Sequence, residues 1–191
     1  TYDKWPQIAR DSFDQKFEKF DIKNIDHIVF AGMGGSGSVG DVLSAILSKE
    51  DIHVNNTKGY LLPKTVDQHS LIIAMSVSGN TQETLSILDN AKRSKAKVVA
   101  FSSGGKMQDF CLKNNIFFQN LSMEHSPRAS FTRYLFSILN ILEQIIPIKK
   151  TDVNQAIFDT KNIQSRISSS NLEKSNESLE LAKWLKNIPR V

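Results

Sequence analysis

At 191 residues the chain is long enough for one well-packed domain with a helical appendage, and short for two. Its 40% hydrophobic and 23% charged residues exclude a disordered chain or a coiled coil. A balance of 24 Lys+Arg against 20 Asp+Glu leaves a net charge of +4, enough to attract a phosphorylated metabolite but not nucleic acid without a clustered basic face.

A leading amphipathic helix is marked by Ala9, Phe13, Phe17 and Phe20. The continuous apolar run Ile28–Ala31 then reads as a buried strand, of the kind found in a parallel sheet covered on both faces. Val39, Val42, Leu43, Ile46 and Leu47 form one helical stripe, and Ile52–Val54 is a weaker strand. The strand Leu71–Ala74 precedes a helix bearing Thr84, Leu85, Leu88 and Ala91; the strand Val98–Phe101 precedes a short helix bearing Met107, Phe110 and Cys111. A last strand, Ile116–Phe118, leads into Ala129–Ile146, which is apolar nearly all round and predicts a central buried helix. From Lys149 the composition turns polar with apolar anchors at Val153, Ile157, Ile163 and Ile167. A break at Ser168–Asn171 follows, then a helix with Leu181, Trp184 and Leu185 on one side. Strands alternating with helices predict an α/β fold: a three-layer, doubly wound parallel sheet of about five strands, with right-handed crossovers and C-terminal linker helices. The stretch Asn187–Val191 turns extended, as though a further strand were about to begin.

Cys111 is the single cysteine, which excludes an internal disulfide framework, and no apolar stretch approaches a bilayer span. A cytoplasmic protein without a membrane partner is therefore expected.

Two strand-to-helix loops carry the chemistry. The first strand runs into Gly32-Met33-Gly34-Gly35-Ser36-Gly37, where glycines let backbone N–H groups approach an anion at a helix N-terminus. The spacing satisfies G-x-G-x-x-G, but a dinucleotide fold also needs an acid at the end of the second strand, and Asn55 and Asn56 stand there. The Walker pattern fails because Asp41 follows Gly40. The third strand runs into Ser76-Val77-Ser78-Gly79-Asn80-Thr81. Asn80 or Thr81 would serve as N-cap, yet three hydroxyls exceed what capping needs and suit a phosphate monoester with its three acceptor oxygens. Both loops fall at carboxyl ends of strands, where open α/β sheets bind ligands.

Other polar residues are weaker candidates. Glu83 in a first helical turn and Lys106 after Gly104-Gly105 are explained by dipole and turn chemistry, and the basic run Lys92–Lys97 by its place at a helix end. His27, His53 and His69 sit at strand entries away from the ligand edge, and no spacing of His, Cys, Asp or Glu suggests a metal.

Taken in order, the Gly32–Gly37 loop with Gly40-Asp41, the Ser76–Thr84 stretch, Ser102-Ser103-Gly104-Gly105-Lys106 and Ser126-Pro127-Arg128-Ala129 resemble the sugar isomerase (SIS) domain. The glycine loop, the Ser-Ser-Gly-Gly-Lys turn and the Pro-Arg-Ala entry to an apolar helix narrow the resemblance to the archaeal-type bifunctional phosphoglucose/phosphomannose isomerases. Val77 departs from the aromatic residue frequent at that position. The resemblance implies an N-terminal SIS domain over 1–147 and a helical linker over 148–191 leading to a second SIS domain. It implies aldose–ketose interconversion of glucose 6-phosphate or mannose 6-phosphate with fructose 6-phosphate through an enediolate, with no metal or redox cofactor. Ser76, Ser78 and Thr81 would hold the phosphate, Gly35 and Ser36 would contact the sugar, and Arg128 would be the cation beside the enediolate. The family's proton-shuttling Glu, ring-opening His and a further Lys belong to the second domain, so this stretch is expected to bind without turnover, and His125 does not replace that His. Pairing of SIS domains as a homodimer is also implied. A non-catalytic sugar-phosphate sensor is the alternative reading.

Overall fold

The computed structural model describes residues 2–18, 20, 22–172, 175–186 and 188; the expected extended stretch at 187–191 lies outside the described residues apart from Ile188. Five parallel strands form one sheet: β1 (His27–Ala31), β2 (His53–Thr57), β3 (Ser70–Met75), β4 (Lys97–Ser102) and β5 (Phe117–Asn120), in the order β2-β1-β3-β4-β5. The register aligns Ala31 with both Thr57 and Ala74, so β1, β2 and β3 end level at their carboxyl edge. β1 and β3 are fully buried because both sheet faces are covered.

The period-2 alternation of each strand sends its side chains to two different helical layers. Ile28, Phe30, Leu71, Ile73, Met75, Val99 and Phe101 pack against α1 (Trp5–Asp14), α2 (Gly35–Leu47) and α5 (Phe131–Leu142). Val29, Ala31, Ile72, Ala74 and Ala100 face α3 (Gln82–Ala91) and α4 (Gly105–Lys113), where Ile87, Leu88, Met107 and Cys111 close the second core. Burial there pushes the Cys111 thiol up to about 11, so it behaves as a packing residue. This is the expected three-layer α/β sandwich.

Two expected helices differ in extent. α1 stops at Asp14, because the Asn140 carboxamide donates to the carbonyls of Phe13 and Gln15 and so satisfies the helix end. Phe17 and Phe20 continue the same core without being helical, and Phe20 stacks on Phe117 of β5 with ring centroids 4.4 Å apart. Their helical spacing reflects burial along an irregular strap. α5 runs only from Phe131 to Leu142: Pro127 to Ser130 form a turn before it, and Pro147 bars continuation after it. Thus Arg128 does not open this helix as the sequence suggested; it lies in the turn ahead of it. α6 (Lys150–Ile167) buries Val153 and Ile157 but leaves Ile163 and Ile167 exposed, and α7 (Glu177–Lys186) exposes Leu181, Trp184 and Leu185. α6 also packs on α1, so the C-terminal helices begin as part of the same body. Among the described residues, no helix is long and apolar enough to cross a membrane.

Candidate functional site

Strand order reverses between β1 and β3, and the two loops singled out in the sequence leave the carboxyl ends of these neighbouring strands. In open α/β sheets this switch point is where a crevice forms.

The loop after β3 is built by its neighbour. Gly79 takes φ +68°, and a Cβ there would lie 1.8 Å from the Gly104 carbonyl oxygen. The Val77 carbonyl accepts from both the Ser103 N–H (3.1 Å) and the Ser103 hydroxyl (2.7 Å), and the Gly79 carbonyl accepts from Met107 N–H at 2.9 Å. Asn80 is not the cap of α3: its Oδ1 accepts from Lys106 N–H at 3.2 Å, serving the first turn of α4 instead. Thr81 occupies the N-cap position of α3 but its hydroxyl is bonded to the Ser76 hydroxyl at 2.8 Å. No side chain caps α3, so the first-turn N–H groups of Gln82, Glu83 and Thr84 keep their positive ends for an anion.

The three hydroxyls are thereby unequal. Ser78 is exposed, Thr81 half-buried and Ser76 only 1% exposed beneath them. The Ser76–Thr81 pair holds two protons and uses one internally, which leaves one to donate outward; the Ser78 hydroxyl accepts from Asn80 N–H at 3.2 Å and keeps its own proton free to donate. Val77 points into the main core, away from this face.

The loop after β1 is arranged differently. Gly34 has φ +54° with open space where a Cβ would stand, and a Cβ at Gly35 would meet only the Pro127 carbonyl, at 3.9 Å. α2 starts at Gly35 without a side-chain cap, and Ser36 is buried in its first turn. That contact also places the Pro127–Arg128 turn beside the glycine loop. Arg128 is exposed, and among the described residues its guanidinium has no charged partner. His125 is exposed on the same segment.

The end of β2 explains the absent ribose acid. Asn56 donates to the Gly37 carbonyl (3.0 Å) and to Asp41 (2.6 Å), tying β2 to α2, and Lys58 bridges to Asp41 at 2.6 Å. Hydrogen bonding from Lys58 holds the Asp41 carboxyl below its usual range. Asn56, Asp41 and the Ser102–Lys106 turn were singled out in the sequence, but Lys58, the contacts that tie β2 to α2, and the bracing role of Ser103, Gly104 and Asn80 were not. His27, His53 and His69 lie at the opposite edge, with buried His27 bonded to Ser70 (3.1 Å) and Asn55 (2.8 Å). Cavities of about 590 Å³ beside Trp5 and Ile167, and of about 730 Å³ beside Ile46 and Leu139, include none of the candidate residues. Among the described residues no cluster of His, Cys, Asp or Glu suits a metal ion.

The fold is that of a parallel α/β domain with two uncapped helix starts at the carboxyl edge of its sheet, and residues 21–140 match the SIS domain family, to which the chain belongs. It is 35% identical over 131 residues to the bifunctional phosphoglucose/phosphomannose isomerase of Caldicellulosiruptor bescii, covering 68% of this chain and 39% of the relative. To the protein of the same name from Thermoplasma volcanium it is 34% identical over 142 residues, covering 74% and 44%. The C-terminal domain of glucosamine-fructose-6-phosphate aminotransferase from Francisella tularensis shares the fold with a TM-score of 0.61 at 14% identity, covering 96% of this chain and 56% of that one. The chain thus spans about two fifths of the length of these isomerase relatives.

Proposed function

We propose that this domain binds a phosphorylated hexose as the N-terminal SIS domain of a glucose-6-phosphate/mannose-6-phosphate isomerase. The observation that carries the reading is the uncapped start of α3 beneath Ser76, Ser78 and Thr81, facing a glycine loop with open space at Gly34 and Gly35. A phosphate monoester at α3 would accept from Ser78, from the outward proton of the Ser76–Thr81 pair and from first-turn N–H groups. The sugar would then lie toward Gly35 and Ser36, with Arg128 above it to stabilise charge developing on an enediolate oxygen. The proton shuttle and ring-opening groups of the relatives' chemistry would come from a second SIS domain. This stretch alone would hold fructose 6-phosphate, glucose 6-phosphate or mannose 6-phosphate without converting them, and homodimers would form by SIS–SIS packing.

Calorimetric titration with fructose 6-phosphate, against free fructose and NAD, tests the reading. Binding that requires the phosphate is expected; binding of fructose alone or of NAD would refute it. A non-catalytic sugar-phosphate sensor is the second reading, since the candidate contacts on this chain are hydroxyls, backbone N–H groups and Arg128 and include no acid or base for proton transfer. Turnover by the natural protein carrying this sequence decides between the two.

A further inference from the structure

Between β5 and α5 the chain crosses the carboxyl edge of the sheet as an irregular segment, residues 121–130, which carries Arg128. Such a segment would ordinarily sample many conformations, and a cation displayed on it would be poorly aimed. Here it is fastened at several points. The Glu124 N–H donates to the Ser130 hydroxyl (2.9 Å), which in turn donates to the Ser126 carbonyl (2.9 Å), so the fully buried Ser130 bridges both ends of the loop instead of capping α5. Trp5 Nε1 donates to the Ala129 carbonyl at 3.0 Å. Arg133, on the first turn of α5, brings Nε (2.7 Å) and Nη2 (2.5 Å) onto the same Glu124 carboxylate oxygen.

Both side chains of that pair are only 21% exposed. A pair so far removed from water recovers little stability for the desolvation it costs, whereas it strongly restricts the conformations of whatever it joins. The Pro127–Arg128 turn lies between its two members in sequence and abuts the glycine loop at Gly35. We infer that Glu124 is a positioning residue: clasped by Arg133 and Ser130, it fixes the turn that aims Arg128 at the ligand edge. This rests on the sugar-phosphate reading of the site.

The test is a double-mutant cycle in the natural protein carrying this sequence, read by calorimetry with fructose 6-phosphate. Glu124→Gln is expected to weaken binding about tenfold, and to have no effect once Arg128→Ala is present. In a Ser78→Ala background the loss should persist undiminished. An equal loss with and without Arg128, or none at all, overturns the positioning role and points to general packing. If Glu124→Gln does not fold, Arg133→Lys, which keeps the charge but loses the planar fork, enters the same cycle with the same two outcomes. Should the wild type fail to bind, or Ser78→Ala bind as tightly as wild type, the site reading fails and the inference about Glu124 falls with it.

Discussion

The two loops at the ligand edge use glycine for opposite reasons. In the loop after β3, Gly79 is needed because there is no room: its positive φ and the Gly104 carbonyl pressed against its Cα would both reject a side chain. In the loop after β1, Gly35 sits in an ordinary helical start and a Cβ would touch nothing closer than 3.9 Å. One glycine makes a rigid hydroxyl platform; the other keeps space clear. Under the proposed function the platform would take the phosphate and the clear space the sugar.

Gly79→Ala should break the contrast most severely. With the αL strain and the 1.8 Å approach to Gly104 combined, roughly 3 kcal/mol or more of stability should be lost. For a chain of this size that is about 6–12 °C in Tm by thermal melting. Gly35→Ala should do the reverse: an unchanged or slightly raised Tm, with fructose 6-phosphate binding weakened by about a hundredfold or more as the methyl fills the sugar side. Wild-type affinity in that variant would show that the open space is not used. Ser78→Ala should lower affinity by about tenfold to a hundredfold, the worth of one hydrogen bond to a charged oxygen, with little change in Tm, since its exposed hydroxyl makes only the Asn80 contact.

The smallest effect concerns the anchor of the glycine loop. Asp41 is held ionised in the folded chain by Lys58, so its folded pKa lies below its unfolded one. Its contribution is present above the ordinary carboxylate value of 3.8 and lost as pH falls through the lowered folded value. Melting curves between about pH 5 and pH 3 should show a slightly smaller acid-induced drop in Asp41→Asn than in the wild type. The pair is exposed, and a drop of equal size would mean solvent already screens it.

The strands were legible because each buried run was continuous, and the two loops because glycines and hydroxyls stood where strands gave way to helices. The leading helix was overextended because Phe17 and Phe20 keep helical spacing while packing from an irregular strap, and periodicity records burial whatever the backbone does. Capping was misassigned for a similar reason. From the sequence Asn80 and Thr81 compete for α3, whereas Asn80 turns to α4 and Thr81 to Ser76, partners set by the packing of one loop on another. Arg128 was found by resemblance, but its place in a clasped turn depends on Glu124, Ser130 and Arg133 meeting in space.

The sequence by itself determined the α/β alternation and which loops hold the polar groups, because these follow from local pattern and residue chemistry, and its motifs carried the resemblance to the SIS family. Only the tertiary structure decided that β1 and β3 are neighbours, that Gly104 braces Gly79, that α3 is left uncapped and that Gly35 faces Pro127. Each of these is a contact between segments distant along the chain, and burial of two separate helical layers on one sheet is what brings them together.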